Sequence, residues 1–424
     1  MQLPPEEMPT SWYNILPDLP EVIPPPMDPE DGQPRLRMLK EVLLGHCLEQ
    51  ESSAERWIKI PEGILELYEQ AGRPRPLIRA RRLEERLKTP ARLYYKAEFY
   101  SPTGSHKVNT ALAQAYYALE EGYERLSTET GAGQWGTALA YAASLVGLKL
   151  VVYWVRAVYR WKAERRGFMK AYGAEVRASP SEYTDVGSGL LREDSQHPGS
   201  LGIAVSEGLE EAKKDPKTIY CLGSVLNHVL LHQTIIGLET KKQLEMVDDY
   251  PDVMISCLGG GSNFGGFVLP FMADAIGGRR VRFIATQSEA APNLQGEYRY
   301  DFADHAGLTP MLKMYTLGHK KEMKPIRADG LRYHGAAPII SLLRHRGYID
   351  TIAYPADETH VFERARTFLE TEGFLPAPES AYSIAGAIDE ADRCRETGEE
   401  EVIAFNVSGH GLLDIQAFEE KLGI

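Results

Sequence analysis

Lys107 closes the turn "SPTGSHK" and opens the alanine-rich run "VNTALAQA", so a cation stands at the head of a helix. The first backbone N–H groups of a helix lack partners and its dipole is positive there, so the charge is unfavourable unless it is removed or used. Three glycine-rich loops bear on what could use it. "TETGAGQWG" carries a formal GxGxxG in Gly131, Gly133 and Gly136, with Glu129 just ahead of Thr130. "DVMISCLGGGSNFGGF" ends an apolar strand on Gly259, Gly260, Gly261, Ser262 and Asn263, and "AFNVSGHG" leaves Ser408 at a strand end.

Each loop has a plain reading of its own. The GxGxxG suits a dinucleotide, but the next strand, "LKLVVYWVR", ends in Arg156 without the acid that would hold a ribose. An NADP enzyme could use that arginine, and a loop at a helix N-terminus would equally take a substrate carboxylate. The consecutive glycines let backbone N–H groups converge on a phosphate, with Ser262 and Asn263 as added donors. Phe264 stands where a dinucleotide loop has its third glycine, and no GKT or GKS follows; the alternative is a strand-to-helix turn that binds nothing. Ser408 alone reads as a cap.

Together the parts describe one chemistry. Pyridoxal phosphate needs a phosphate cup, a lysine for its imine and a partner for its ring nitrogen. Forming the imine removes the charge that is misplaced at Lys107, and the amine released in turnover is a base beside the substrate Cα. Glu129, next to a loop that would bind a carboxylate, is expected to be pushed up by like-charge repulsion when that carboxylate arrives.

The elements that must position these groups follow an α/β rhythm. From Ala91 to about Gln287, β-rich runs ("ARLYYKAEF", "YERLSTE", "LKLVVYWV", "TIYCLGSV", "DVMISCLG", "VRFIATQ") alternate with helical ones ("TALAQAYYALEEG", "GTALAYAASLVG", "RRGFMKAYGA"). That alternation predicts an α/β protein of doubly wound domains with mostly parallel sheets. Before it, ten of the 27 prolines fall in the first 34 residues, which reads as an extended arm laid over the body or a partner subunit. Helical pattern begins near Leu36 and recurs at "PEGILELYEQ"; from Gly296 to Pro338 the periodicity breaks and predicts a long functional loop. Net charge of −13 argues against a nucleic-acid or anionic-membrane surface, and no apolar run reaches the ~20 residues of a membrane helix. Cys47, Cys221, Cys257 and Cys394 are scattered without a CxxC, as reduced thiols of a cytoplasmic protein with no metal site.

In order and spacing, "SPTGSHKVN", "ETGAGQWG", "GSVLNHVLLHQT", "GGGSN", "PAPESAYSIAGA" and "NVSGHG" resemble the tryptophan synthase β chain, from Trp12 to the C-terminus. The proline-rich arm, Trp135 and the insertion holding "GLTPMLKMYTLGH" and "GLRYHG" resemble its second, longer, stand-alone subfamily. The resemblance implies a fold type II pyridoxal-phosphate lyase, normally a homodimer with an α subunit absent or transient. Its reaction makes L-tryptophan from L-serine or O-phosphoserine and indole through an aminoacrylate. It assigns the imine to Lys107 and cofactor contacts to His106, Asn109, Gly259, Gly260, Gly261, Ser262 and Asn263, with Glu379 near the ring and Ser408 on its nitrogen. The substrate carboxylate falls to Thr130, Gly131, Ala132, Gly133, Gln134 and Trp135, and the acid that also holds the indole N–H to Glu129. A monovalent cation belongs to the same pattern. So does a division into an arm with first helices (1–60), an N-terminal α/β domain (61–225) with a mobile lid at about 122–212, and a C-terminal α/β domain (226–424) that takes in a crossover at about 73–105. Residues 152–169, inside the lid, depart most from the pattern. Other fold type II enzymes, such as a serine dehydratase, are the near alternative, and an NADP dehydrogenase the remote one.

Overall fold

The structure is a computed structural model that describes residues 1–30, 32 and 37–424. Its framework is two sheets. The larger runs Ile349–Tyr354, Arg282–Ser288, Val253–Cys257, Val402–Val407, Arg92–Ala97 and Leu77–Arg79, parallel except for the last strand. The smaller runs Glu175–Ser179, Lys149–Val155, Arg125–Thr130 and Thr218–Tyr220, all parallel. The central strands are almost wholly buried, as "VMISC" and "VIAFNV" are along their length. That is why they read as apolar runs without alternation: helices cover both faces of a parallel sheet.

Parallel strands also fix where chemistry can sit. Each is followed by a helix, so loops that leave the carboxyl ends of neighbouring strands gather in one crevice, with helix N-termini pointing into it. Here those loops follow Arg92–Ala97, Arg125–Thr130, Val253–Cys257 and Val402–Val407, and they carry Lys107, the GxGxxG, the triple glycine and Ser408 in turn.

One reading of the sequence changes, one is decided and one is left open. Residues 296–338 are not loop throughout: Glu297–Phe302 and Met311–Thr316 pair as an antiparallel hairpin. Their alternating burial shows the period-2 signal, which polar and aromatic residues hid from a hydrophobicity reading. The proline-rich arm lies on this chain's own body, where Ser11–Tyr13 pairs with Trp57–Lys59 and Trp12 is fully buried against His232. Leu36, where the sequence places the start of helical pattern, lies outside the described residues; Arg37–Lys40 is helical. No helix among the described residues is long and apolar enough to cross a membrane.

Candidate active site

Lys107 sits at the N-terminal boundary of the helix Val108–Glu120, which has no side-chain cap. The turn before it is interlocked with the loop after Val402–Val407. His106 N–H donates to the Ser408 carbonyl at 2.8 Å and His410 N–H to the Gly104 carbonyl at 2.9 Å. Gly104 has no room for a side chain, since a Cβ there would lie 2.0 Å from the His410 ring. Lys107 and Ser408, 301 positions apart in the chain, are thereby brought to one wall. They line one cavity, open to solvent on one side.

Of the residues the resemblance assigns to the site, all but two line that cavity: His106, Lys107, Glu129, Thr130, Gly131, Ala132, Gln134, Trp135, Gly259 to Asn263, Glu379 and Ser408. Gly133 lies behind the wall, packed so that a Cβ would meet Trp154 at 2.7 Å. Asn109 is fully buried beneath it. Its amide oxygen accepts from Arg73 Nε (3.0 Å) and Arg75 Nη1 (3.2 Å), and its nitrogen donates to Gln233 (2.8 Å) and Glu98 (3.3 Å). A side chain so engaged supports the Lys107 helix from below and has nothing left for a ligand. Arg156, which an NADP reading needs, donates to the Pro180 carbonyl and is also outside the wall.

The triple glycine forms a cup. Gly261, at φ +119°, turns the chain into the helix Ser262–Ile276, which again lacks a side-chain cap. A Cβ on Gly260 would fall 2.5 Å from Ser224 Oγ, and one on Gly259 would fall 2.5 Å from the Gly330 carbonyl. Ser224 Oγ also accepts from Ser262 N–H at 3.3 Å, so it belongs to the cup. The sequence reading includes Ser224 in a motif without giving it a role; its signal is a serine in a small-residue turn after the strand Thr218–Tyr220. Asn263 donates to Ser256 Oγ (2.6 Å) and the Cys257 carbonyl (3.1 Å), and accepts from Asn406 (2.7 Å). It braces the cup instead of pointing a free amide into it.

Burial sets the protonation states. It presses the Lys107 ammonium below its ordinary value, with Glu129 and Glu379 opposing only in part. It lowers His106, helped by Lys107, to about 3, so the ring is neutral. Glu129 is pushed up to about 7 by burial, against hydrogen bonds from Tyr220 and Thr128 and the charge of Lys107. The rise therefore exists before any substrate carboxylate arrives, with desolvation as its main cause. Tyr220, whose hydroxyl donates to Glu129 Oε2, was missed because 91 positions separate the two.

The remaining groups hold the floor. Glu379, in the first turn of Pro378–Thr397, accepts from Gly330 N–H (2.8 Å) and Gln134 Nε2 (2.9 Å), linking the carboxylate loop to the turn at 330. Ser408 Oγ lies 2.9 Å from Ser380 Oγ and 3.9 Å from Cys257 Sγ. Burial raises that thiol to about 11, so both neighbours of Ser408 are neutral.

Pyridoxal phosphate fits this set. Both ring nitrogens of His106 are buried without a hydrogen-bond partner beside the cup. The uncapped helix start at Gly261 leaves backbone donors for a phosphate. Lys107, which would carry the imine, and the neutral Ser408, which would face the ring nitrogen, line the same cavity.

Comparison with known proteins agrees. The family model of pyridoxal-phosphate dependent enzymes matches residues 68–409. The "tryptophan synthase beta chain 2" of Methanothermobacter thermautotrophicus is 55% identical over 418 residues, 98% of this chain and 97% of that one. That of Thermotoga maritima is 55% identical over 420 residues, 99% of each. Among solved structures, a fungal L-serine ammonia-lyase from Rhizomucor miehei superposes with a TM-score of 0.62 at 17% identity, covering 82% of this chain and 97% of that one. A T.th. threonine deaminase gives 0.54 at 21%, with the same coverage. These two speak for the fold alone. A lysine, three glycines at an uncapped helix start and a neutral serine around one cavity, with relatives this similar along the whole chain, lead to one conclusion: the chain belongs to the pyridoxal-phosphate dependent enzymes and, among them, to the tryptophan synthase β chains.

Proposed function

We propose that this cavity joins the three-carbon unit of L-serine, or of its phosphate ester, to indole and releases L-tryptophan. The observation that carries this is Glu129: a buried carboxyl poised near neutrality in the same wall as Lys107 and the carboxylate loop. When bound, pyridoxal phosphate supplies an electron sink that acidifies the substrate Cα and loosens its β-substituent. The uncapped N-terminus of Gln134–Val146 and the Thr130–Gln134 backbone receive the substrate carboxylate. Lys107 Nζ, pressed toward its neutral form, takes the Cα proton and later returns it. Glu129 gives its proton to the departing hydroxyl, and as an anion then accepts the indole N–H. Ser408 keeps an uncharged partner at the ring nitrogen, which restrains side reactions that a carboxylate there would promote.

The same reading gives a cytoplasmic homodimer that works with an α subunit absent or transient, and a monovalent cation as an accessory. It divides the chain into an arm with first helices (1–60), a domain with a lid (61–225) and a second domain (226–424). The test is direct. Purified holoenzyme incubated with serine and indole, then with phosphoserine and indole, should yield tryptophan by mass. Pyruvate and ammonia without tryptophan would place the chain with the serine dehydratases.

A further inference from the structure

Four charged side chains meet beside the cavity on three separate segments. Lys162 Nζ lies 2.9 Å from Asp414 Oδ1 and 3.5 Å from Asp329 Oδ2, and the Arg165 guanidinium grips Asp414 Oδ2. Each of the four is at most 4% exposed. Ion pairs buried to this degree are poor stabilisers, because desolvation consumes most of the Coulomb gain and apolar residues would serve the fold as well. Their value lies in what they fix in place.

What they connect is specific. Asp414 lies on the loop that begins with Ser408 and interlocks with Gly104 ahead of Lys107. Asp329 precedes Gly330, whose N–H holds Glu379. Lys162 and Arg165 come from the helical segment Arg156–Ala171. Arg165 Cδ would lie 3.1 Å from a Cβ on Gly133, and Trp154, at the end of the strand leading into this segment, donates to the Gly131 carbonyl at 2.7 Å. The ring-nitrogen loop, the Glu379 turn and the carboxylate loop therefore converge on one ion cluster. Of its members only Asp329 reaches the cavity wall. Asp414 is held well below its ordinary range by Arg165 and Lys162 although burial opposes this, and those carboxylates hold Lys162 above its own. Asp329 Oδ2 has no hydrogen-bond partner, so its 3.5 Å contact with Lys162 has room to tighten.

We propose that Lys162 is a positioning residue: bridging Asp414 and Asp329, it clamps the segment Arg156–Ala171 over the carboxylate loop so that indole, not water, completes the turnover. The role rests on the tryptophan-forming reading above. It predicts a loss of fidelity more than a loss of cofactor.

The test uses holoenzyme with serine and indole, measuring the KM for serine, kcat, cofactor absorbance and the ratio of pyruvate to tryptophan. Lys162→Met should keep its cofactor while KM and the pyruvate share each rise about ten- to a hundredfold, the order of cost of leaving a buried polar group without its partner. Lys162→Arg should return both to within a few-fold of the parent, because a cation of similar reach restores the bridge. Should Lys162→Met not fold, Asp329→Asn weakens the second seat, which Arg332 Nη1 also contacts at 3.3 Å. It should raise the pyruvate share in the same direction, while Arg332→Met, which leaves Lys162 its seat, should raise it less. An unchanged ratio in the variant that folds, or an equal rise in Lys162→Arg, overturns the clamp. A parent protein that makes no tryptophan overturns the reaction reading instead, and the clamp with it.

Discussion

Glu129→Gln separates what burial does to this carboxyl from what the carboxyl does to substrate. In the folded chain burial lifts Glu129 from 4.5 to about 7. A shift of that size corresponds to about 3 kcal/mol of preference for the protonated form. Because the folded value is raised, the folded state binds the proton more tightly than the unfolded one. The associated stability is full below the unfolded value and is lost as pH rises through about 7. Glutamine has nearly the same shape, can still accept from Tyr220 and does not ionise. Apo Glu129→Gln should match the parent near pH 4 and exceed it by about 3 kcal/mol near pH 8, read by denaturant unfolding at both values. The chemistry should move the other way. A positioned acid contributes ~10²–10⁴ in rate, so tryptophan formation from serine should fall by that order while phosphoserine, with its better leaving group, recovers part of the loss. The parent's rate of hydroxyl loss should decline as pH rises through about 7, and the variant's should not. A variant that eliminates at the parent's rate, or is no more stable than the parent near pH 8, refutes the assignment.

Three further variants probe the neighbouring groups. Lys107→Ala should hold pyridoxal phosphate only loosely and lose essentially all turnover, since base and covalent anchor go together; a borohydride-reducible chromophore in the variant would move the anchor to another lysine. Gly260→Val places a branched side chain where even a Cβ would stand 2.5 Å from Ser224 Oγ. Cofactor affinity in a titration should drop by about a hundredfold or more with far-ultraviolet circular dichroism unchanged, because the bulk fills the cup and costs one or two charged hydrogen bonds. Tyr220→Phe removes a hydrogen bond that lowers Glu129. The pH at which hydroxyl loss declines should therefore move upward, and a profile that stays put or moves down would uncouple the two residues.

Much of this site is written in local chemistry. Three adjacent glycines after an apolar strand, a small-residue turn ahead of Lys107 and a serine at a strand end describe backbone geometry within a few residues of themselves. The alternation of buried strands and alanine-rich helices implies parallel sheets, and parallel sheets bring such loops to one crevice wherever else the chain goes. The hairpin Glu297–Phe302 with Met311–Thr316 was not legible, because one face of it is polar or aromatic and only pairing reveals the period. Asn109 stands two residues from Lys107 yet turns away from the cavity, claimed by Arg73, Arg75 and Gln233 from distant segments. The charge on Glu129 depends on burial by the whole fold and on Tyr220, 91 positions away, and the Arg165–Asp414 contact spans 249. Loop chemistry is local and can be read along the chain. Desolvation and long-range pairing belong to the packed state, so the tertiary structure alone decided which side chains face the cavity and which of them keep their protons.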